Sequence, residues 1–243
     1  AGALSALELG IASETEARTL GGNILETVGR LPKWKGHLYN WYDTETLAPL
    51  DPAYVSTVDS GNLAAALTAC AVGFAAHGAP ALAKQARETA AAMDFRAIYD
   101  EKRRLFRIGL LPGESAPAQS WYDLLESEER LTAYFTVASG QIEHRHWRQL
   151  SRAQVGYRRR RGMVSWSGSL FEYLMPELFL PLYRGSHLWE SARFAVYVQQ
   201  RRTFGAKKLW GISESAFYAF DATDHYRYKA HGCAALALQP GMD

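Results

Sequence analysis

The spacing of apolar residues constrains this chain most, because it recurs at helical intervals in one segment after another. Thr15 to Leu31 carries Leu20, Ile24, Leu25 and Val28 on one helical stripe. Asp59 or Ser60 offers an N-cap for a helix through Phe74. Gly78 and Pro80 then break the chain, and Ala81 to Met93 forms the next helix. Trp121 to Val137 reads as a strong helix and Gln141 to Leu150 as a shorter one. Leu170 to Tyr183 reads as a helix interrupted by Pro176 and Pro181, and Ser186 caps a helix through Phe204. Between these, Lys33 to Leu50 is an aromatic ordered loop and Leu110 to Ser120 a Pro, Gly and Ser loop. Phe95 to Gly109 sets two short apolar segments around a charged turn, a small hairpin. Val155 to Ser169 is irregular and basic at its start. Helices in antiparallel succession with one small hairpin give an all-α fold class, an α/α toroid or a related helical array. With 243 residues and no linker or repeat, the expected organisation is a single domain over residues 1–243.

Composition removes several function classes. Lys and Arg number 27 against 25 acidic residues, a balance that argues against a dedicated nucleic-acid binder. Cys70 and Cys233 form neither a metal spacing nor a disulfide framework. His144 and His146, two apart on a helix, do not share a face, so no metal site is expected. There is no phosphate-binding glycine loop, and Ser165-Trp166-Ser167-Gly168-Ser169 does not match a nucleophile elbow, so no cofactor is expected. The apolar run Leu63 to Ala76 falls short of the roughly 20 residues of a membrane span, so no direct membrane insertion is expected. Arg158-Arg159-Arg160-Arg161 is the strongest charge run and reads either as a solvated loop or as a phosphate or nucleic-acid contact. With no initiating Met and no signal-peptide pattern, the sequence reads as a segment of a longer or processed protein.

What remains is carboxylates and aromatics. Glu172, Glu214 and Asp59 each lie among aromatics, small residues and hydroxyls with no Lys or Arg beside them. Burying an unpaired carboxylate is costly unless neighbours hydrogen-bond it or its pKa rises. Glycosidic cleavage needs two such carboxyl groups, one of them protonated near neutral pH in a partly apolar setting. Glu172 beside Phe171 and Tyr173, and Glu214 near Trp210 and Phe217, have that setting. Glu128 lies in an acidic cluster on a helix, where like charges also raise a carboxyl pKa. Each has a plainer alternative. Glu128 also reads as a solvated helix face paired with Arg130 or Arg104, Glu172 as a helix cap or core anchor, Glu214 as a structural hydrogen-bond hub and Asp59 as an N-cap. Tyr39-Asn40-Trp41-Tyr42-Asp43 is either a sugar platform, with Asp43 on the sugar hydroxyls, or a loop pinned to the core. Seven Trp and thirteen Tyr suit stacking on pyranose rings, although large helical cores use aromatics too.

Taken together the motifs resemble a known family. Gly36-His37-Leu38-Tyr39-Asn40-Trp41-Tyr42-Asp43-Thr44, then Val55-Ser56-Thr57-Val58-Asp59-Ser60-Gly61-Asn62-Leu63, Met93-Asp94-Phe95, Tyr122-Asp123-Leu124-Leu125 with Ser127-Glu128, Trp166-Ser167-Gly168-Ser169 with Phe171-Glu172-Tyr173-Leu174-Met175-Pro176, and Trp210-Gly211-Ile212-Ser213-Glu214-Ser215 follow one another in order. From about Lys33 to about Gln239 the chain resembles the glycoamylase-like domain of cyclic β-1,2-glucan synthases, with endo-β-1,2-glucanases as relatives. The resemblance implies an (α/α)6 barrel, here incomplete, and action on β-1,2-linked glucan. It implies Glu214 as nucleophile and Glu128 as acid/base, with Tyr39, Asn40, Trp41, Asp43, Asp59, Trp166, Glu172 and Trp210 shaping the sugar subsites. The chain departs from the family in a short stretch between Leu63 and Met93, in its end at Asp243, in His231 before Gly232, and in about eight helical segments where a closed toroid has twelve.

Three functions follow as expectations: a transglycosylase that cyclises linear glucan, a hydrolase of the same polymer, and a non-catalytic glucan-binding fragment. A carboxylate separation of about 5 Å suits a covalent retaining route and about 6.5–9.5 Å leaves room for water. By analogy the parent protein is membrane-bound, with this segment on the cytoplasmic side of an inner membrane, or periplasmic if it is a hydrolase.

Overall fold

The structure is a computed structural model that describes residues 1–113, 119–204, 210–220 and 226–238. The side chain of Phe217, expected beside Glu214, lies outside the described residues. The chain forms two compact units, residues 1–121 with 131–146, and residues 122–130 with 147–243.

The first unit begins with α1 (Gly2–Glu8) and α2 (Glu14–Arg30). Ser13 and Glu16 close a reciprocal capping box that starts α2. The buried face of α2 is Ala17, Gly21 and Leu25, while Leu20 and Ile24 of the expected stripe are half exposed. The cause is close approach: a Cβ on Gly21 would sit 2.3 Å from the Phe74 ring, so the helix packs through its small residues. Two-residue strands β1 (Lys33–Trp34) and β2 (His37–Leu38) pair within the aromatic loop.

After β3 (Val55–Ser56) comes α3 (Thr57–Ala76), whose N-cap is Ser56 accepting from the Asp59 amide at 3.2 Å. Asp59 is therefore the third helical residue, and it is exposed, contrary to its expected capping role and burial. By length and mean hydropathy (1.3 over its best stretch) α3 is apolar enough to cross a membrane, so the apolar segment is longer than Leu63 to Ala76. Here α3 packs through Leu67, Ala71 and Phe74 against Leu25 and the alanines of α4 (Pro80–Ala91).

A second cluster gathers Val55, Met93, Phe95, Ile98 and Phe106. Around it lie a 3-10 turn at Phe95–Ile98, the hairpin β4 (Tyr99–Asp100) with β5 (Leu105–Phe106), and β6 (Gly109–Leu110) paired to β3. Trp121 does not begin a helix. Its indole donates to the Asp100 carboxylate at 3.1 Å, and α5 (Arg130–Ala138) starts nine residues later than expected. His146 in α6 (Arg145–Gln149) is buried, with Nδ1 3.0 Å from the Arg104 carbonyl, a core histidine.

The second unit opens with residues 122–130, whose backbone pairs with Ser151: Ser151 N–H donates to Asp123 at 2.7 Å and Leu125 N–H to Ser151 at 3.0 Å. These bonds take groups that a helix would need, so the expected helix over Trp121 to Val137 is half loop. The basic stretch is a hairpin, β7 (Gln154–Tyr157) with β8 (Arg160–Met163), turning on Arg158 and Arg159, with Arg158 left-handed at φ 56°. A short α7 (Leu170–Leu174) runs into a 3-10 turn at Met175–Leu178, where Pro176 tightens the end. Ser186 accepts from the Trp189 amide at 3.2 Å and starts α8 (His187–Phe204). Last, β9 (Ser215–Phe220) pairs antiparallel with β10 (Tyr226–Lys229). Tyr173, Phe194, Val198, Cys233 and Leu236 form this unit's core. The described residues thus hold five two-stranded sheets where one hairpin was expected.

Gly61 tests the packing of α3 on α5. A Cβ there would lie 1.9 Å from Thr132 Oγ1 and 2.9 Å from the Thr132 Cα, which cannot swing away. Gly61→Ala is expected to cost about 1–3 kcal/mol of stability, read as a lower urea midpoint at unchanged slope.

Candidate active site

One buried carboxylate organises the second unit. Glu172 accepts from six donors: the hydroxyls of Ser165, Ser167 and Ser169 and the amides of Trp166, Ser167 and Ser169, at 2.6–3.1 Å. Ser169 also accepts from the Glu172 amide, completing a capping box at the start of α7. Hydrogen bonds of this kind offset the desolvation of a buried carboxyl group.

The segment bearing Glu214 is docked on the same loop. Gln199 on α8 accepts from the Ile212 amide at 2.6 Å and donates to the Ile212 carbonyl at 2.9 Å and the Gly168 carbonyl at 3.0 Å. Leu170 N–H donates to Ile212 and Phe171 N–H to Ser213, so the Glu214 strand entry lies over the first turn of α7. Gly168 is left-handed at φ 76°, and a Cβ there would sit 2.4 Å from the Cys233 carbonyl. Tyr228 on β10 donates a short hydrogen bond to Glu214.

Glu128 comes from the loop before α5 and is half-buried. Arg130 does not neutralise it: its guanidinium binds Glu126 and, at 2.7 Å, Glu177, and donates to the Tyr173 carbonyl at 3.1 Å. Glu128 is therefore no solvated helix face paired with Arg130. Burial raises Glu126 and Glu177, and the charge of Arg130 draws both back.

Burial pushes Glu128 up to about 7, and the negative charges of Glu172 and Glu214 push in the same direction. Its own amide and the Tyr122 hydroxyl, 3.3 Å away, work against them. Burial also raises Glu214, opposed by the Tyr228 hydroxyl, with the Glu172 charge adding to the rise and the Ser169 hydroxyl reducing it. The charges of Glu172 and Glu214 thus reach Glu128, and that of Glu172 reaches Glu214, within a single unit. Trp166 stands half-buried in the Glu172 loop and Trp210 is 42% exposed just before Glu214.

The other expected site residues belong to the first unit. Trp41 is 71% exposed. Tyr39 stacks edgewise near Tyr42, whose hydroxyl accepts from the Tyr39 amide at 2.9 Å and donates to Pro32. Asn40 accepts from the Ser56 amide at 3.2 Å. The Asp43 carboxylate is held below its usual range by the amide and hydroxyl of Thr46 and the Glu45 amide. Asp59 is exposed on α3. A recess of about 620 Å³ in this unit, between Thr68, Arg87, Met93 and Phe135, is lined by none of the expected site residues.

No known family profile matches the sequence. The chain is 27% identical to the cyclic β-(1,2)-glucan synthase NdvB of Rhizobium meliloti across 98% of its own residues. It resembles part of a cyclic β-1,2-glucan synthase. The chain spans 13% of that protein's length, and the match extends over 366 positions against 243 residues here, so the synthase carries additional residues inside the matched stretch. Among solved structures, the endo-β-1,2-glucanase of Chitinophaga pinensis, in complex with sophorotriose and glucose, superposes with a TM-score of 0.73 at 16% identity, over 97% of this chain and 62% of its own. A candidate glucoamylase from Bacteroides caccae gives 0.74 at 14% identity, over 95% of this chain and 61% of its own. These matches show the fold: helical, with small sheets, of the α/α-toroid class. The chain spans about three fifths of each solved structure.

The serine set around Glu172 was readable as Ser169-Leu170-Phe171-Glu172, a capping-box spacing. Tyr228, Gln199 and the Arg130 cluster had no such signal, since each acts on a residue distant in sequence or, for Arg130, in a sense that sequence leaves open. Glu172→Gln would turn an amide N–H₂ toward donors. It is expected to cost about 2–4 kcal/mol, whereas Ser167→Ala costs about 1 kcal/mol, both read from urea unfolding.

Proposed function

We propose that this chain is a carbohydrate-active domain that cleaves and transfers β-1,2-glucan chains, with Glu128 as acid/base and Glu214 as its partner carboxylate. What supports the reading is two part-buried carboxyl groups in one unit, Glu128 and Glu214, both raised by burial and both reached by the Glu172 charge. Burial and like charge push Glu128 up to about 7, while burial raises Glu214 as well and the Tyr228 hydroxyl draws it back. Glycoside cleavage needs one carboxyl group protonated near neutral pH and a second as its ionised partner, and the raised Glu128 suits the first role. The protonated Glu128 gives its proton to the glycosidic oxygen as the bond to the anomeric carbon breaks. Glu214 attacks that carbon in the transfer reading, and an acceptor sugar hydroxyl, deprotonated by Glu128, then displaces it.

The identity to the synthase across nearly the whole chain favours transfer. The likeness to the glucanase fold favours the second reading, hydrolysis of the same polymer with Glu214 activating water. Trp166 and Trp210 would stack on sugar rings and Glu172 would hold the loop that aims Glu214, while Tyr39, Asn40, Trp41, Asp43 and Asp59, by themselves in the first unit, would offer further sugar contacts. A parent protein at a membrane fits the synthase likeness.

Incubation with linear β-1,2-glucan, followed by product sizing and anomer analysis, tests this. Cyclic or lengthened products support transfer, and short reducing oligosaccharides support hydrolysis. Sugar binding with no turnover would leave a binding fragment and overturn the catalytic reading. Glu128→Gln is expected to lower kcat by about 10²–10⁴-fold with little change in KM.

The sign of the pH dependence is fixed. Glu128 must be protonated to act, so its limb is full below about 7 and is lost as pH rises through it. The same raised carboxyl makes the folded state bind more protons than the unfolded one. Its contribution to stability is therefore present at low pH and declines between 4.5 and about 7. Glu128→Gln is expected to remove both the alkaline limb and that decline.

A further inference from the structure

The arginine run found no part in the glucan reading, and the structure gives it a setting. On α8, Trp189, Arg193, Tyr197 and Arg201 recur every four residues and so lie along one face. Arg193 stacks 4.4 Å from the Trp189 ring and Arg201 5.6 Å from Tyr197. From the hairpin, Arg160 stacks 4.1 Å from the same Tyr197, and Tyr157 lies 6.4 Å from it. The hairpin seats closely because Gly162 has no Cβ, which would stand 2.4 Å from the Phe194 ring.

Between hairpin and helix lies a recess of about 280 Å³ lined by Arg160, Arg161, Glu190, Arg193 and Phe194. Among the described residues none of these three arginines is in an ion pair, and Glu190 is in none either. A guanidinium stacked by its face on an aromatic ring keeps its N–H edge for a ligand, and that planar fork fits phosphate oxygens. Three guanidinium charges against one carboxylate leave a surplus of two positive charges, the complement of a phosphate dianion.

We propose that this recess is a phosphate-binding site, taking the phosphomonoester group of a small soluble ester or of a lipid headgroup. Arg160 and Arg193 are held by their aromatic partners and supply the forks, and Arg161 adds charge. Arg201 belongs to the same basic face but does not line the recess, so it separates a built site from diffuse attraction. The site stands apart from the glucan reading and needs no glucan turnover to be tested.

Inorganic phosphate is titrated calorimetrically into the full chain, and in parallel the chain is sedimented with phosphatidic acid vesicles and with phosphatidylcholine vesicles. Arg160→Gln, Arg193→Gln and Arg201→Gln carry the same change of charge, and a thermal melt checks that each is folded. Saturable phosphate binding, weakened at least about 10-fold by Arg160→Gln and by Arg193→Gln but not by Arg201→Gln, supports the site with a soluble ester as its source. The same pattern only on phosphatidic acid vesicles supports it with a lipid headgroup. Binding to neither probe, or equal loss in all three variants, overturns it, as does binding that appears only with a DNA duplex.

Discussion

The solvation of one buried carboxylate by its own loop underlies the second unit. Glu172 is 3% exposed and among the described residues is in no ion pair, so its burial is tolerated because hydroxyls and amides from residues 165–169 converge on it. The convergence fixes three things at once. It folds the Ser165 to Ser169 segment, it caps α7, and it places the Glu172 carboxyl where Glu128 and Glu214 both feel its charge. A neutral residue at 172 would leave a ring of donors facing one another and would release the two neighbouring carboxyls from that field.

The second determinant is the buried arrangement of Arg130 between Glu126 and Glu177. It draws the only cation near residues 126–129 in sequence away from Glu128. The backbone pairing with Ser151 keeps the preceding residues out of a helix, so Glu128 is carried on a loop whose direction is set by Ser151 on one side and Arg130 on the other. Breaking a buried ion pair by removing one partner typically costs about 3–5 kcal/mol, so this loop is firmly held despite having no regular structure.

Much of the helical frame was legible. The helices from Glu14, from Thr57 and from His187 fall close to their expected ranges, because capping residues and apolar periodicity are local signals. Their faces were less so: α2 buries Ala17 and Gly21, since helix approach rewards small residues that carry little hydrophobic signal. The hairpin at 154–163 and the pairing of β9 with β10 were missed because arginines and tyrosines obscure a period of two, and the helix over Trp121 to Val137 was overextended because the bonds that prevent its first half are long-range. Of the carboxylates, Glu172 is the helix cap and core anchor that its surroundings allowed. Asp59 is exposed, so the expectation that its burial marks chemistry does not hold. Glu128 and Glu214 sit 86 positions apart in sequence, and only folding shows that they share a field.

The most direct test follows the Glu128 carboxyl carbon by NMR across a pH titration, in the wild type and in Glu214→Gln. The account predicts a Glu128 midpoint near 7 that moves down when the Glu214 charge is removed. A midpoint at the ordinary carboxylate value in the wild type, or one indifferent to Glu214, would contradict it.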